Sequence, residues 1–111
     1  MSYNIIPIDK FKKEVKKLIR KYPSLKSELR ELNEALILNP TMGISLGSNA
    51  YKIRISIKSK GAGKSGGGRV ITYVVTEEKD IYLLTIYDKS DLDTIEDNTL
   101  KKIIKSIQDK L

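Results

Sequence analysis

The sequence contains neither cysteine nor histidine, and each absence removes a class of function. Without cysteine there can be no disulfide, no thiolate nucleophile and no cysteine-bound metal. Without histidine the chain lacks the usual general base near neutral pH and the commonest metal ligand. No apolar run approaches the roughly 18 residues that cross a membrane, and the first residues lack the charged-then-apolar order of a signal peptide. We therefore expect a cytoplasmic protein without a metal site.

The charge of the chain is large and unevenly distributed. At 111 residues it is expected to form a single domain over residues 1–111, with a net charge of +7. Residues 1–49 contribute +4, residues 50–76 contribute +6 without any acid, and residues 77–111 contribute −3. Such a local excess indicates a polyanionic partner, with nucleic acid before an anionic membrane, and the alternative is an ordinary solvated basic surface.

The stretch KSKGAGKSGGGRVI (58–71) holds five of the seven glycines together with four cations. Its Gly-Lys-Ser at 63–65 resembles the end of a P-loop, but Lys58 stands where that motif needs its first glycine. Three glycines then follow where a phosphate-binding helix should begin. We therefore predict no nucleotide site and no cofactor. Glycines that allow close backbone approach, beside cations, would still suit a phosphate of another kind.

Apolar periodicity predicts an α+β domain with the element order β-α-α-β-β-β-α. The predicted elements are a strand at 3–8, a helix that Asp9 can cap and whose apolar stripe runs from Phe11 to Tyr22, a second helix that starts at Pro23-Ser24 and ends before Asn39, strands at 51–58, 69–76 and 81–87, and a helix near 98–111. Residues 39–49 are predicted to be a loop. Pro7 indicates that the first strand lies at an edge or ends there. The short connections favour an antiparallel meander of the last three strands.

Strict alternation in strand 51–58 places Lys52, Arg54 and Lys58 on one face. A hairpin brings Arg69 alongside them, and Tyr73 shares a strand face with Arg69. Cations with interspersed aromatics suit an RNA strand, because phosphates meet Lys and Arg while bases stack on rings. The alternative is a solvated strand face whose tyrosines lie in the core.

Three elements within residues 51–91 form a recognisable combination. They are a Lys-Ile-Arg strand, a Lys-Gly-x-Gly-Lys-x-Gly-Gly-x-Arg loop and a Leu-Leu-x-Ile-Tyr-x-Lys strand, preceded by a helical hairpin that ends in Leu-Asn-Pro. This combination resembles the RelE/HigB superfamily of bacterial toxins, in particular its HigB-type branch. The resemblance implies a compact RelE-like fold, in which a small, mainly antiparallel sheet packs on the helical hairpin with a C-terminal helix.

The resemblance also implies a function and a set of partners. It predicts the toxin of a type II toxin–antitoxin system, a ribosome-dependent endoribonuclease that cuts messenger RNA and inhibits translation. Its partners would be the message, the ribosome and an antitoxin, expected to be a helix-turn-helix protein. Two other interpretations stay open, namely a non-catalytic RNA- or ribosome-binding module and a domain whose basic face binds an acidic protein.

Site residues are implied by matching positions. The predicted catalytic residues are Lys52, Arg54, Arg69, Tyr87 and Lys89. The predicted RNA-binding residues are Lys58, Lys60, Lys64 and Tyr73. Relatives often carry two adjacent aromatics after Val-Ile, where this chain has Thr72-Tyr73, so the role of the first aromatic does not transfer.

Such residues could cleave RNA through its own 2′-OH without a metal. Cations stabilise the charge on the phosphorane, which is often the largest contribution. A lysine crowded by other cations has a lowered pKa and could act as base or acid, and Tyr87 is a second candidate. The ribosome would orient the message. Because glycines and cations offer no apolar core, we expect residues 59–68 to be a poorly ordered loop that clamps RNA.

Overall fold

The computed structural model describes residues 2–61, 63–92 and 94–111 and has an α+β fold. Its elements are β1 (Asn4–Pro7), α1 (Asp9–Lys21), α2 (Leu25–Leu38), β2 (Ile44–Gly47), β3 (Ala50–Ile55), a 3₁₀ turn (Lys58–Lys60), β4 (Gly68–Val75), β5 (Asp80–Asp88) and α3 (Asp97–Gln108). The strands form a five-stranded sheet in the order β1-β5-β4-β3-β2. β1 pairs with β5 in parallel, and the other neighbours are antiparallel.

The helical hairpin covers one face of the sheet and forms the first core. The apolar stripe of α2 buries Leu25, Leu32 and Leu36, as its helical spacing predicted. The alternating positions of β3 and its extension meet them, so that Ile53, Ile55 and Ile57 are buried in the same cluster. The meander and its alternation are therefore confirmed, and the first core fixes which face of β3 remains for polar residues.

α3 covers part of the opposite face and forms a second core. Its Leu100, Ile104 and Ile107 are buried in one cluster with Ile71 and Tyr73 of β4. This accounts for strands that are apolar on both sides, because each face of β4 has a helix or helices to pack on.

α1 lies beside the C-terminal half of β5. Glu14 accepts hydrogen bonds from Thr85 Oγ1 at 2.8 Å and from the Ile86 N–H at 3.3 Å. β1 pairs with β5 only as far as Leu83, so this carboxylate takes up a backbone donor beyond the β1 pairing. Through this contact, the side of α1 that carries Glu14 is held close to Tyr87, which lies near the end of β5.

The structure differs from the sequence-based expectation in three local respects. The segment 39–49, predicted as a loop, contains the short edge strand β2, whose paired residues include Gly47, a weak strand former. β3 ends at Ile55, before Lys58, because the chain turns into the 3₁₀ helix. Asp9 lies in the first turn of α1, and Ile8 occupies the N-cap position. Among the residues that the structure describes, no helix is both long and apolar enough to span a membrane.

Candidate nucleic-acid interface

Three predicted site residues form a row across the sheet. Arg54 of β3 lies directly opposite Arg69 of β4, which lies directly opposite Tyr87 of β5. Side chains of directly opposed residues share one face, here the face that the helical hairpin does not cover. Two guanidinium groups opposed in this way repel each other unless an acceptor or an anion lies between or beside them.

The guanidinium of Arg69 has acceptors from its own loop. Its Nη1 donates to the carbonyls of Lys64 and Gly68, both at 2.9 Å, and its Nη2 donates to the carbonyl of Ser65 at 3.1 Å. These bonds use three of its five N–H donors. Only 4% of Arg69 is exposed, whereas Arg54 is exposed. The carbonyl dipoles offset the repulsion at Arg69, and they tie the end of the glycine-rich loop to β4.

A buried acid holds the other end of the loop. Asp88, which is 2% exposed, accepts hydrogen bonds from Lys60 Nζ, from Tyr22 Oη at 2.8 Å and from the Ser90 N–H at 2.9 Å. Lys60 Nζ also donates to the carbonyl of Gly66 at 2.8 Å and to Ser90 Oγ at 2.8 Å. The 3₁₀ turn, the glycine run and the end of β5 are thus joined through one ammonium group.

The electrostatics of this cluster follow from its hydrogen bonds. Burial alone would raise the pKa of Asp88, but the bonds from Lys60, from the Ser90 N–H and from Tyr22 hold it well below its ordinary range. Asp88 is therefore a carboxylate at neutral pH. It forms a salt bridge with Lys60, whose side chain is 18% exposed.

The base of the loop is also bound to the turn between α1 and α2. The Ser24 N–H donates to Ser59 Oγ at 2.7 Å, and the Ser59 N–H donates back to Ser24 Oγ at 2.8 Å. Glu28 accepts from the Lys58 N–H at 2.9 Å and from Ser24 Oγ at 2.9 Å. The expectation that nothing would hold this loop was thus incomplete, because polar anchors replace the missing apolar core at both of its ends.

At one position in the loop, steric crowding by the neighbouring backbone leaves room only for glycine. A Cβ on Gly67 would collide with the Ile55 carbonyl oxygen, which is a backbone atom of β3 and has little freedom to move. A Cβ on Gly63 would meet nothing within 4 Å among the described atoms. Within the run of three glycines, Gly67 therefore permits a close backbone approach between the loop and β3.

We expect Gly67→Ala to lower the free energy of unfolding by about 2 kcal/mol or more, since the collision must be relieved by moving backbone. The matched change Gly63→Ala should alter it by less than about 0.5 kcal/mol. Thermal or urea unfolding monitored by circular dichroism measures both. Equal stabilities of the two variants would contradict this account of Gly67.

The remaining predicted residues occupy different environments. Lys52 is half-buried and donates from Nζ to Thr94 Oγ1 at 3.1 Å. Lys58 and Lys64 are exposed, and Lys89 is half-buried at the end of β5, where its N–H donates to the Gly67 carbonyl at 3.0 Å. Tyr73 is 6% exposed beneath α3, and its hydroxyl accepts from Gln108 Nε2 at 3.2 Å.

Two consequences follow for the predicted RNA contacts. Base stacking on Tyr73 would require α3 to move away, so the position fits the alternative of a core tyrosine. A phosphate contact by Lys60 would require its salt bridge with Asp88 to break. Lys58 and Lys64 need no such rearrangement, since both side chains already face solvent.

Tyr87 lines two cavities near the end of β5. One, of about 310 Å³, lies against α1 and is lined by Lys17, Lys21 and Asp88 among others. The second, of about 260 Å³, lies between α1 and the segment that leads into α3. A third, of about 160 Å³, lies between α2 and β3, and its lining residues include Arg54 and Lys64. Both ends of the cross-strand row therefore border open space.

Sequence reasoning missed the residues that hold the site together. Tyr22 was read as part of the apolar stripe of α1, although its hydroxyl reaches Asp88. The position of Asp88 was one indication in the sequence, because an acidic side chain at the end of a buried strand needs a cation or a hydrogen-bond donor as its partner. Within residues 2–61, 63–92 and 94–111, no three acidic side chains come together as possible metal ligands.

No protein-family model matches the sequence. The structure is similar to that of a mutant of the E. coli toxin RelE in the free state, with a TM-score of 0.59 at 14% identity over 84% of this chain and 90% of that chain. It is also similar to the crystal structure of the isolated E. coli RelE toxin, with a TM-score of 0.50 at 18% identity over 95% of this chain and 98% of that chain. At these identities the likeness concerns the fold, and this chain has a RelE-like fold over most of its length.

Proposed function

We propose that this protein is the toxin of a type II toxin–antitoxin system, a ribosome-dependent endoribonuclease of the HigB-type branch that stops translation by cutting messenger RNA. The observation that carries the proposal is the row Arg54–Arg69–Tyr87, in which two opposed arginines of the acid-free segment 50–76 lie beside a tyrosine of β5. The loop carbonyls offset the repulsion between the two arginines at Arg69 only, and a bound phosphate would offset it at Arg54 as well. The RelE-like fold supports the same conclusion, since the similar structures are of a toxin.

The chemistry assigned to the row is attack of the substrate 2′-OH on the adjacent phosphate. The 2′-oxygen forms a bond to phosphorus, the bond to the 5′-oxygen breaks, and one proton leaves the 2′-OH while another reaches the 5′-oxygen. Arg54 and Arg69 stabilise the phosphorane charge. Lys52, Lys89 and Tyr87 are the candidates for base and acid in a chain without histidine. The reaction needs no metal and no cofactor.

The remaining cations receive distinct tasks. Lys58 and Lys64 bind phosphates of the message beside the site, because both are exposed on the loop. Lys60 holds the loop in place through Asp88 rather than binding RNA directly. The partners are the message and the ribosome in the cytoplasm, and a helix-turn-helix antitoxin that neutralises the toxin.

A second candidate is favoured by one observation. Arg69 is 4% exposed and donates to three loop carbonyls, so it reaches a phosphate only if the loop opens. A protein in which the loop stays closed would bind RNA or the ribosome without cutting. The two candidates share the basic face and differ only in whether the message is cleaved.

The test is induced expression without antitoxin, followed by mapping of message 5′ ends. We expect growth to stop within the induction period and new 5′ ends to appear within translated regions in phase with the reading frame. The matched control is the Arg54→Ala/Arg69→Ala double variant at equal soluble level, which should neither stop growth nor create new ends. Arrested growth with intact message would favour the non-catalytic module, and unchanged growth with intact message would refute both.

A further inference from the structure

α1 carries a dense and exposed set of cations that the row across the sheet does not explain. Seven of its 13 residues are lysine or arginine, and every one of them is exposed. They are Lys10, Lys12, Lys13, Lys16, Lys17, Arg20 and Lys21. With the two acids Asp9 and Glu14, the net charge of this helix is +5, from seven cations less two acids.

These cations form a continuous arc around the helix. Phe11 and Leu18 point toward the first core, and at about 100° per residue the cations occupy the opposite half of the circumference. Glu14 is engaged by β5 and forms a salt bridge with Lys10 at 2.6 Å. Among the residues that the structure describes, the other six cations of α1 form no salt bridge. Their charge is therefore available to a partner.

The composition of this surface favours a nucleic acid over a protein. The core of a protein–protein interface is apolar and depleted of charged residues, whereas surfaces that bind nucleic acid are polar and strongly positive. Of the exposed large apolar side chains of the described residues, Ile37, Leu38, Ile44 and Leu111 lie on other elements, and Leu92 borders the cavity beside Lys10 and Glu14. An acidic protein would find charge on the outer face of α1 but no apolar anchor among the cations there.

The position of most of the arc favours a folded RNA over the message strand. α1 packs on the hairpin face of the sheet, while Arg54 and Arg69 lie on the opposite face. A single strand held at the row could meet Lys17 and Lys21, which border the same cavity as Tyr87, but it would have to pass around β5 to reach the other cations of the arc. The arc is wide, covering half of the helix circumference and about 16 Å of its length from Lys10 to Lys21.

We propose that the outer face of α1 is a second RNA-binding surface, which docks on the phosphate backbone of folded ribosomal RNA while the opposite face of the sheet holds the message. This inference rests on the proposed function for the identity of the RNA. It places the two RNA contacts on different faces of the molecule, and Lys17 and Lys21 border the cavity that lies between them beside Tyr87.

The test compares two variants that remove the same charge from different helices. Lys12→Gln/Lys13→Gln/Lys16→Gln neutralises the arc on the side away from Tyr87. Lys101→Gln/Lys102→Gln/Lys105→Gln neutralises three exposed lysines of α3. Each takes the net charge from +7 to +4, since 7 − 3 = 4. Glutamine and lysine have similar helix propensities, so both variants should fold, and circular dichroism checks this.

Affinity for vacant ribosomes and for a short single-stranded RNA is measured over a range of salt concentrations. We expect the α1 variant to bind ribosomes about tenfold more weakly, with a salt slope reduced by about 2 to 3, because three fewer phosphate contacts release fewer counterions. Its affinity for the short strand should change by less than about threefold. The α3 variant should keep both affinities within about threefold.

Equal losses in the two variants would show that net charge alone matters and would overturn the inference. An α1 variant that binds ribosomes like wild type but loses an acidic protein partner would overturn it as well. A wild-type protein that docks through α1 yet leaves the message intact would refute the proposed cleavage and keep this inference. A wild-type protein that cuts the message, together with an α1 variant of full ribosome affinity, would refute this inference alone.

Discussion

Asp88→Asn is expected to lower the free energy of unfolding by about 3 kcal/mol, because it leaves the Lys60 ammonium partly buried without its counter-charge. For a domain of this size the loss corresponds to a fall in Tm of roughly 10–20 °C. Calorimetry or circular dichroism measures it at neutral pH. Lys10→Ala serves as a control, since it removes the exposed salt bridge to Glu14 and should cost less than about 1 kcal/mol.

The same pair predicts a dependence on pH. The pKa of Asp88 is lower in the folded protein than in the unfolded chain, so its contribution is complete above the unfolded pKa of about 4. It is lost as the pH falls below that value toward the folded pKa. The difference in stability between wild type and Asp88→Asn should therefore be constant above about pH 5 and shrink below about pH 4.

A second variant keeps the test informative if Asp88→Asn does not fold. Lys60→Met/Asp88→Asn removes both charges and keeps an acceptor for Tyr22, so it should recover more than half of the lost stability. A double variant as unstable as Asp88→Asn would show that charge pairing is not the cause. A gap between wild type and Asp88→Asn that persists unchanged to pH 2 would show the same.

Arg69→Ala is expected to reduce message cleavage on the ribosome by about 100- to 1000-fold, through loss of a charged donor to the phosphorane. Affinity for the ribosome should stay within about threefold, because Arg69 is buried and most phosphate contacts lie elsewhere. Single-turnover cleavage at saturating toxin separates the two quantities. Arg30→Ala, which removes an exposed arginine of α2, should leave cleavage and binding unchanged.

Arg69 has a second task that this experiment has to separate from the first. Its guanidinium binds the carbonyls of Lys64, Ser65 and Gly68, so its removal also releases the end of the loop. Arg69→Lys keeps the charge but not the planar set of donors. Equal losses of cleavage in the Ala and Lys variants would assign the effect to loop geometry, and full activity in Arg69→Ala would contradict the proposed role.

Much of the fold could be predicted from local patterns in the sequence. The alternation of Ile53, Ile55 and Ile57 and the stripe of Leu25, Leu32 and Leu36 are repeats with the period of one element, and each marks a face that must be buried. The edge strand β2 could not be predicted in this way. It has four residues, one of them glycine, and it exists because β3 offers it backbone partners.

The candidate site was predictable in its residue types and less so in its contacts. Register places Arg54, Arg69 and Tyr87 in one row, which the hairpin alone indicated for the first two. The sequence could not reveal that Lys60 turns inward, because its partner lies 28 residues further along the chain. A cation in a glycine-rich segment looks solvated until the tertiary structure brings a buried acid to it.

The anchoring of the cationic loop has a consequence for a protein that is being synthesised. The loop is held by Ser24 and Glu28 on one side and by Asp88 on the other, so its final position requires β5 as well as the helical hairpin. The 28 residues added after Lys60, up to and including Asp88, take about 1 to 6 s during translation. Throughout that interval the chain carries Lys60, and then Lys64 and Arg69, but lacks the acid that positions Lys60. The ribosome that makes this protein therefore first meets a chain whose site is not yet assembled. The site is complete only after β5 has left the ribosome and paired with its neighbouring strands.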